Sequence, residues 1–260
     1  MFETILAHLY KQYMKTKRSP ADLLWIFVFP LTGLLSLGIF GLYFQFTGTG
    51  PNPLVFIVVG VTVWNIYAIS QKAITYGLMY DIWDECLRHT YLGKSTDEDL
   101  VIGNSIFGIL TSFVSIGIVA IAAWLLFGMN ILNAGVYLLG GAIAVFLYAT
   151  SIGLVINAMV LRRGYDWSSL IWMTTGFVMI ISGVYYPVEF LPQPFAFIAQ
   201  LIPATHSISS IRAALGASTV NAGTELLYSL ILSVIYMTVA FIIYKRSVKR
   251  AREKGSLLWF

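Results

Sequence analysis

Apolar residues run along this chain in blocks that are long and almost uncharged. Six stretches stand out, at residues 23–46, 54–79, 101–127, 134–161, 170–186 and 226–244. A helix crossing the hydrocarbon of a bilayer needs roughly 20 mostly apolar residues, with about 17 as the lower bound. The pattern therefore predicts six transmembrane helices. The breaks are clear: Gly48, Gly50, Pro51 and Pro53, then a polar stretch at 81–99, then Asn130 to Asn133, then Arg162 to Asp166. No small-residue cleavage site follows the first run, which is expected to remain as a span.

Two segments have a different pattern. In residues 1–18, Phe2, Ile5, Leu6, Leu9 and Tyr13 recur at helical spacing, while Glu3, Gln12 and Lys15 fall on other faces. This predicts an amphipathic helix lying on the cytoplasmic membrane surface. Ser19 or Asp22 would cap the helix that follows, with Pro20 in its first turn. The second segment, 187–217, is apolar but broken by Pro187, Pro192, Pro194 and Pro203. It cannot form one straight helix. The pattern predicts a re-entrant hairpin of two short helices, near 194–201 and 207–217, dipping into the outer leaflet. Irregular backbone survives at that depth only when buried against protein or lining a cavity. Glu189 and Arg212 are the only charges there, placed either to pair or to face the outer water.

Composition supports the bilayer reading. The chain is 58% apolar and 11% charged, with a mean hydropathy of +0.80, whereas a soluble domain carries roughly 25% charged residues. The single Cys86 excludes an internal disulfide and any multi-cysteine metal site. The pI of 9.1 would suit nucleic acid, but position decides: 14 of the 16 Lys and Arg residues fall in segments assigned to one side of the membrane. That excess predicts both termini in the cytoplasm of a multi-pass plasma-membrane protein, with no nucleic-acid partner.

Candidate chemistry is sparse. Gly93-Lys94-Ser95-Thr96 has the ending of a phosphate-binding loop, but the glycine required five residues earlier is Arg88. His8, His89 and His206 lie on three separate segments without metal-ligand spacing. Catalytic, metal and cofactor sites are therefore not expected on this chain. Lys72 is the one basic residue inside an apolar run. It either lines a cavity or snorkels to the cytoplasmic interface beside Asp81. Aromatic residues crowd the first two spans; Phe40, Tyr43, Trp64 and Tyr67 are candidates for a pathway wall, with lipid-facing bulk as the alternative. In the stretch 81–99, Trp83, Leu87 and Tyr91 recur every four positions, flanked by acids. That stripe is expected to form a helix able to fill a groove in a partner.

The order of segments resembles the permease subunits of type-2 ATP-binding-cassette (ABC) exporters. Arg18-Ser19-Pro20 after an amphipathic helix resembles the family's interface helix and first-span opening. Glu85, Thr90, Ser95, Glu98 and Gly103 resemble its coupling-helix pattern, with His89 where Gly is usual and Lys94 where Pro is frequent. Ser182 to Pro187, Leu191-Pro192, Ile202 to His206 and Ile211-Arg212 resemble the segment before the last span, with Ile202 where Asn is common.

The resemblance implies an all-α membrane half-transporter. A second copy of the chain would pair with it in the lipid bilayer, and separate ATPase subunits would bind ATP and Mg and dock from the cytoplasm. Trp83, Glu85, Leu87 and Tyr91 would form the ATPase-coupling element, and Tyr186, Pro187, Glu189 and Arg212 the outer gate. The cargo would be an amphipathic drug-like molecule, lipid or glycolipid, or alternatively a lipid-linked polysaccharide. Two other classes remain open: an ion-coupled carrier, which would need buried acids, and a membrane enzyme acting on lipids, which would need clustered Asp or His.

Overall fold

The computed structural model describes residues 2–46, 52–86, 90 and 96–253. Among these, regular structure is helical throughout and no strand occurs. Helix α1 (Phe2–Arg18) has Glu3 in its first turn and Lys15, Lys17 and Arg18 in its last, a placement that complements the helix dipole. Ser19 then caps α2 (Pro20–Phe27), accepting from the Asp22 amide at 3.2 Å, with Pro20 in the first turn. The helix is interrupted at Val28 and resumes as α3 (Phe29–Phe46). Pro30 explains the break, because it has no N–H to give the carbonyl four residues back.

Helix α4 (Pro53–Trp83) follows, then α5 (Asp97–Phe127), α6 (Val136–Arg163), α7 (Leu170–Ile181), α8 (Phe195–Gln200), α9 (Pro203–Ala214) and α10 (Ala222–Glu253). Short 3-10 turns occupy Ile131–Ala134, Tyr165–Ser169 and Val188–Phe190. A capping box opens α5: Thr96 Oγ1 accepts from the Asp99 amide and Asp99 accepts from the Thr96 amide, each at 3.2 Å.

Among the described residues, five segments are long and apolar enough to cross a membrane: 20–43, Pro53–Trp83, Asp97–Phe127, Val136–Arg163 and Ala222–Glu253. The fifth predicted span, 170–186, differs. Its helix stops at Ile181 after 12 residues, a rise of about 18 Å against a hydrocarbon core of about 30 Å. Hydropathy continues to Tyr186, but the backbone turns at Gly183, which adopts φ +70, where a Cβ would also lie 2.7 Å from Val188.

Helix α4 is the axis of the bundle, packing against α3, α5, α6, α7 and α9. In its most apolar window 78% of residues are buried, against 17% in the first and last candidate spans. Several polar side chains inside the bundle make interhelical bonds. Gln71 donates to Thr174 at 2.6 Å and accepts from Thr175 at 2.8 Å. Ser70 meets Ser112 at 2.8 Å, Asn157 donates to the Ile74 carbonyl at 3.0 Å, and Ser233 donates to the Ala144 carbonyl at 2.7 Å. In hydrocarbon an unpaired polar group is costly, so such bonds fix the rotation of each helix against its neighbour.

Candidate functional site

One end of the bundle holds Trp83 and Glu85, two of the four expected coupling residues. There α1 lies against α5 and the end of α4. Its orientation follows from amphipathicity: His8, Gln12 and Thr16, four residues apart, are buried, while Phe2, Leu6, Tyr10 and Tyr13 are exposed. The polar stripe faces the protein, leaving an apolar face that suits a membrane surface. Gln12 Nε2 donates to Asn104 Oδ1 at 3.2 Å, Thr4 donates to Asp99 at 2.8 Å, and Gly103 lets the backbone of α5 approach His8. Burial foremost, then the neighbouring Lys11 charge, holds the His8 pKa below its usual value.

The acidic residues of 81–99 that flank the predicted stripe mostly have partners within the chain. Lys11 pairs with the buried Asp81 at 2.6 Å, and Lys15 pairs with Asp84. Lys245 pairs with Glu98 at 2.5 Å and Arg252 with Asp97 at 2.6 Å. With the Thr4–Asp99 bond, five of the six acids are held by α1 or α10. Glu85 is exposed and carries a positive φ of 54. That turn corrects one expectation: α4 ends at Trp83, so a continuous helical stripe does not run from Trp83 through Glu85. Leu87 and Tyr91 lie outside the described residues. Trp83 is 48% exposed, donates to Tyr165 Oη at 2.9 Å, and packs edge-on against Tyr76 and Tyr80. Burial, with the charge of Asp81 behind it, raises the Cys86 thiol pKa.

The placement of Lys72 beside Asp81 is corrected too. Lys72 Nζ pairs with Asp22 at 2.9 Å, and Tyr80 Oη donates to the other Asp22 oxygen at 2.5 Å. The ammonium sits 4.7 Å from the Trp25 ring centre and 4.8 Å from that of Tyr76, a desolvated cation–π setting.

The four candidate pathway aromatics do not share a surface. Phe40 and Tyr43 are exposed on α3, whereas Tyr67 is fully buried, 5.5 Å from the ring of Tyr148. Trp64 donates to the Thr175 carbonyl at 3.4 Å and belongs to an aromatic chain that the sequence reading missed, in which Phe29, Trp25 and Trp172 follow one another at 5.3, 4.0 and 5.4 Å. The i, i+4 spacing of Trp25 and Phe29 was its only sequence signal.

At the opposite end, two short helices, α8 and α9, occupy the segment where the hairpin is expected, the second beginning at Pro203 rather than 207. Arg212 neither pairs with Glu189 nor faces water. It is 4% exposed, and its guanidinium donates to the carbonyls of Phe56 (2.8 and 3.1 Å), Gly183 (2.9 Å) and Val184 (3.0 Å). It thus ties α9 to the start of α4 and to the turn after α7. Tyr186 donates to the Ile180 carbonyl at 2.6 Å, and Pro187 and Glu189 line a polar cavity beside Arg212. Among the described residues no cluster of His, Cys, Asp and Glu could hold a metal ion.

A family model described as ABC-2 type transporter matches residues 3–215. The chain belongs to that family. No curated protein matches it. The ABC-2 chain is thus a multi-pass membrane protein and the permease component of an ABC transporter, a kind of subunit that is generally not catalytic itself and implies a separate ATPase. The match runs from α1 through α9, and α10, which supplies Lys245 and Arg252 to the α1 end, lies beyond it.

Proposed function

We propose that this permease is half of an exporter. Two copies assemble in the plasma membrane with both termini cytoplasmic, and ATPase subunits carrying ATP and Mg dock at the α1 end. The observation that supports this best is the course of α4. It is unbroken from Pro53, beside the Arg212 tie, to the exposed Trp83. At about 1.5 Å per residue its 31 residues span roughly 46 Å, more than the hydrocarbon thickness. A push delivered at Trp83 reaches the hairpin through one rigid rod. The ion pairs from α1 and α10 lock the neighbouring helix ends together, so that the cytoplasmic end moves as a block.

Trp83 and Glu85 are the contact to the ATPase, with Leu87 and Tyr91 next along the chain. The sparsely buried first and last spans meet lipid and the second copy. The cargo is an amphiphile moved toward the hairpin side. Truncating an aromatic anchor at a docking surface costs roughly 2 kcal/mol or more, about thirty-fold in affinity. Trp83→Ala is therefore expected to weaken co-purification of the ATPase by that factor and to abolish substrate-stimulated ATP hydrolysis, while insertion is unchanged. Full retention of both by Trp83→Ala would remove this residue from the contact.

A further inference from the structure

Helix α10 has two faces. Ser233, Ala240, Tyr244 and Val248 are buried, the last three in one apolar cluster with Leu161 near the end of α6. Turned away from the bundle, Tyr228, Ile231, Ile235, Val239 and Ile242 are each 45% to 53% exposed. They recur every three or four positions and so form one stripe. Arg246, Lys249 and Arg250 continue the same spacing and are exposed as well. The stripe thus changes from apolar to basic without leaving its face. From Tyr228 to Arg246 the helix rises about 27 Å, against a hydrocarbon core of about 30 Å. The arginines come where a lipid-facing stripe reaches the level of the phosphates.

The cations of α10 divide by face. Lys245 and Arg252 pair with Glu98 and Asp97 of α5. Arg246 and Arg250 form no ion pair among the described residues. Lys249 reaches Glu253 at 3.9 Å with both side chains mostly exposed, a pair that contributes little. Three occupants of this face differ in fit. A second copy, related by an axis along the membrane normal, would bring equal heights of the face together and set the arginines against their own counterparts. An acidic protein docking from the cytoplasm would meet helix ends from below, whereas these side chains continue a lateral apolar stripe. An anionic phospholipid fits both parts, with acyl chains on Ile235 to Ile242 and a phosphate on the guanidinium forks, whose planar donors match it.

We propose that Arg246 and Arg250, with Lys249, bind the headgroup of an anionic phospholipid whose acyl chains lie along the apolar stripe of α10. Lys245 and Arg252 hold the start of α5 from another flank of the same helix end, so a bound headgroup braces the ion-paired end of the bundle. The proposal rests on the exporter reading only for which leaflet supplies the lipid; the binding itself needs neither the ATPase nor a direction of transport. The test titrates the full-length permease in detergent with phosphatidylglycerol or with zwitterionic phosphatidylcholine, and bound lipid is counted by native mass spectrometry.

Each cation near an anionic lipid surface contributes about fivefold in binding, so the first phosphatidylglycerol is expected to bind at least about tenfold more tightly than phosphatidylcholine. Arg246→Gln with Arg250→Gln should bring the two lipids level, and Arg246→Lys with Arg250→Lys should keep most of the preference. Lys17→Gln with Arg18→Gln, exposed cations of α1, should leave it unchanged. Should the double Gln variant not fold, each single change is expected to lose about fivefold. No preference for phosphatidylglycerol, or equal loss from the α1 and α10 pairs, would overturn the proposal. So would displacement of the lipid by inorganic phosphate but not by chloride of equal ionic strength, which would mark a site for the free anion. Loss of the dimer mass or of ATPase co-purification with lipid binding unchanged would give the patch to the second copy or to the ATPase, and overturn it too. Failure of the Trp83 contact leaves lipid binding untouched, so the two readings fail separately.

Discussion

Arg212 and Lys72 illustrate how a single charge is handled inside this bundle. Neither is left to water. Arg212 uses the geometry of its fork to gather three carbonyls from two stretches of chain, Phe56 and Gly183-Val184, which an ammonium would not reproduce. Hydrogen bonds to a charged group contribute roughly 1.5–3 kcal/mol each, and buried carbonyls stripped of their donor carry a further cost. Arg212→Ala is expected to destabilise the purified permease by at least about 3 kcal/mol, lowering its melting temperature by roughly 6 °C or more, with Arg212→Lys intermediate. A melting temperature for Arg212→Ala equal to that of the parent would mean the tie is not structural.

For Lys72, the sequence already held the reason against Asp81. Nine positions along one helix rotate a side chain by about 900°, so Lys72 and Asp81 lie on opposite faces of α4. The true partner, Asp22, is 50 residues away in sequence, and no local rule reaches it.

Among the elements, the apolar blocks coincide with parts of α4, α5, α6 and α10, with α10 running nine residues past its block to Glu253, because a bilayer demands long apolar helices and little else imitates them. Two elements were harder to read. The fifth block counted residues that the turn at Gly183 removes from the helix, a backbone event that hydropathy does not register. The coupling segment read as one helical stripe, whereas Glu85 in the left-handed region ends α4 just past Trp83. Helix α1 was legible as amphipathic, and Phe2, Leu6 and Tyr13 of its apolar face remain exposed, while Ile5 and Leu9 are half-buried. Which groups its polar stripe would meet was not legible, since Asp81, Asp99 and Asn104 come from distant chain.

The packing of α1 has a consequence for pH. His8 has its pKa lowered in the fold, so the unfolded chain takes up a proton first as pH falls below about 6.5. Binding of that proton favours the unfolded state. The His8 contribution is therefore full above that pH and is lost as pH falls toward the lowered folded-state pKa. Melting curves at pH 5.5 and 7.5 should show a smaller difference for His8→Gln than for the parent. An identical difference would mean that burial of His8 does not set the slope.

At the scale of the whole molecule, two ends of one bundle are joined by α4. One end is clasped by ion pairs from α1 and α10 and presents Trp83; the other is tied by Arg212 around a polar cavity. The sequence supplied the class through its hydropathy and the order of its segments, and the match to the ABC-2 family agrees. It did not supply the site geometry, because the ties that lock both ends, such as Lys11 to Asp81 and Arg212 to Phe56, join residues 70 to 156 positions apart. The central claim is that ATP-driven force enters at the Trp83 end. Its most direct test is cross-linking from single cysteines in a Cys86→Ser background, with the transporter's ATPase coexpressed. Trp83→Cys is expected to give a cross-link to the ATPase whose yield changes between nucleotide-free and ATP-bound states, and Ser218→Cys, at the cavity, none. An ATPase that co-purifies yet cross-links equally from both positions, or from Ser218→Cys alone, would contradict the account.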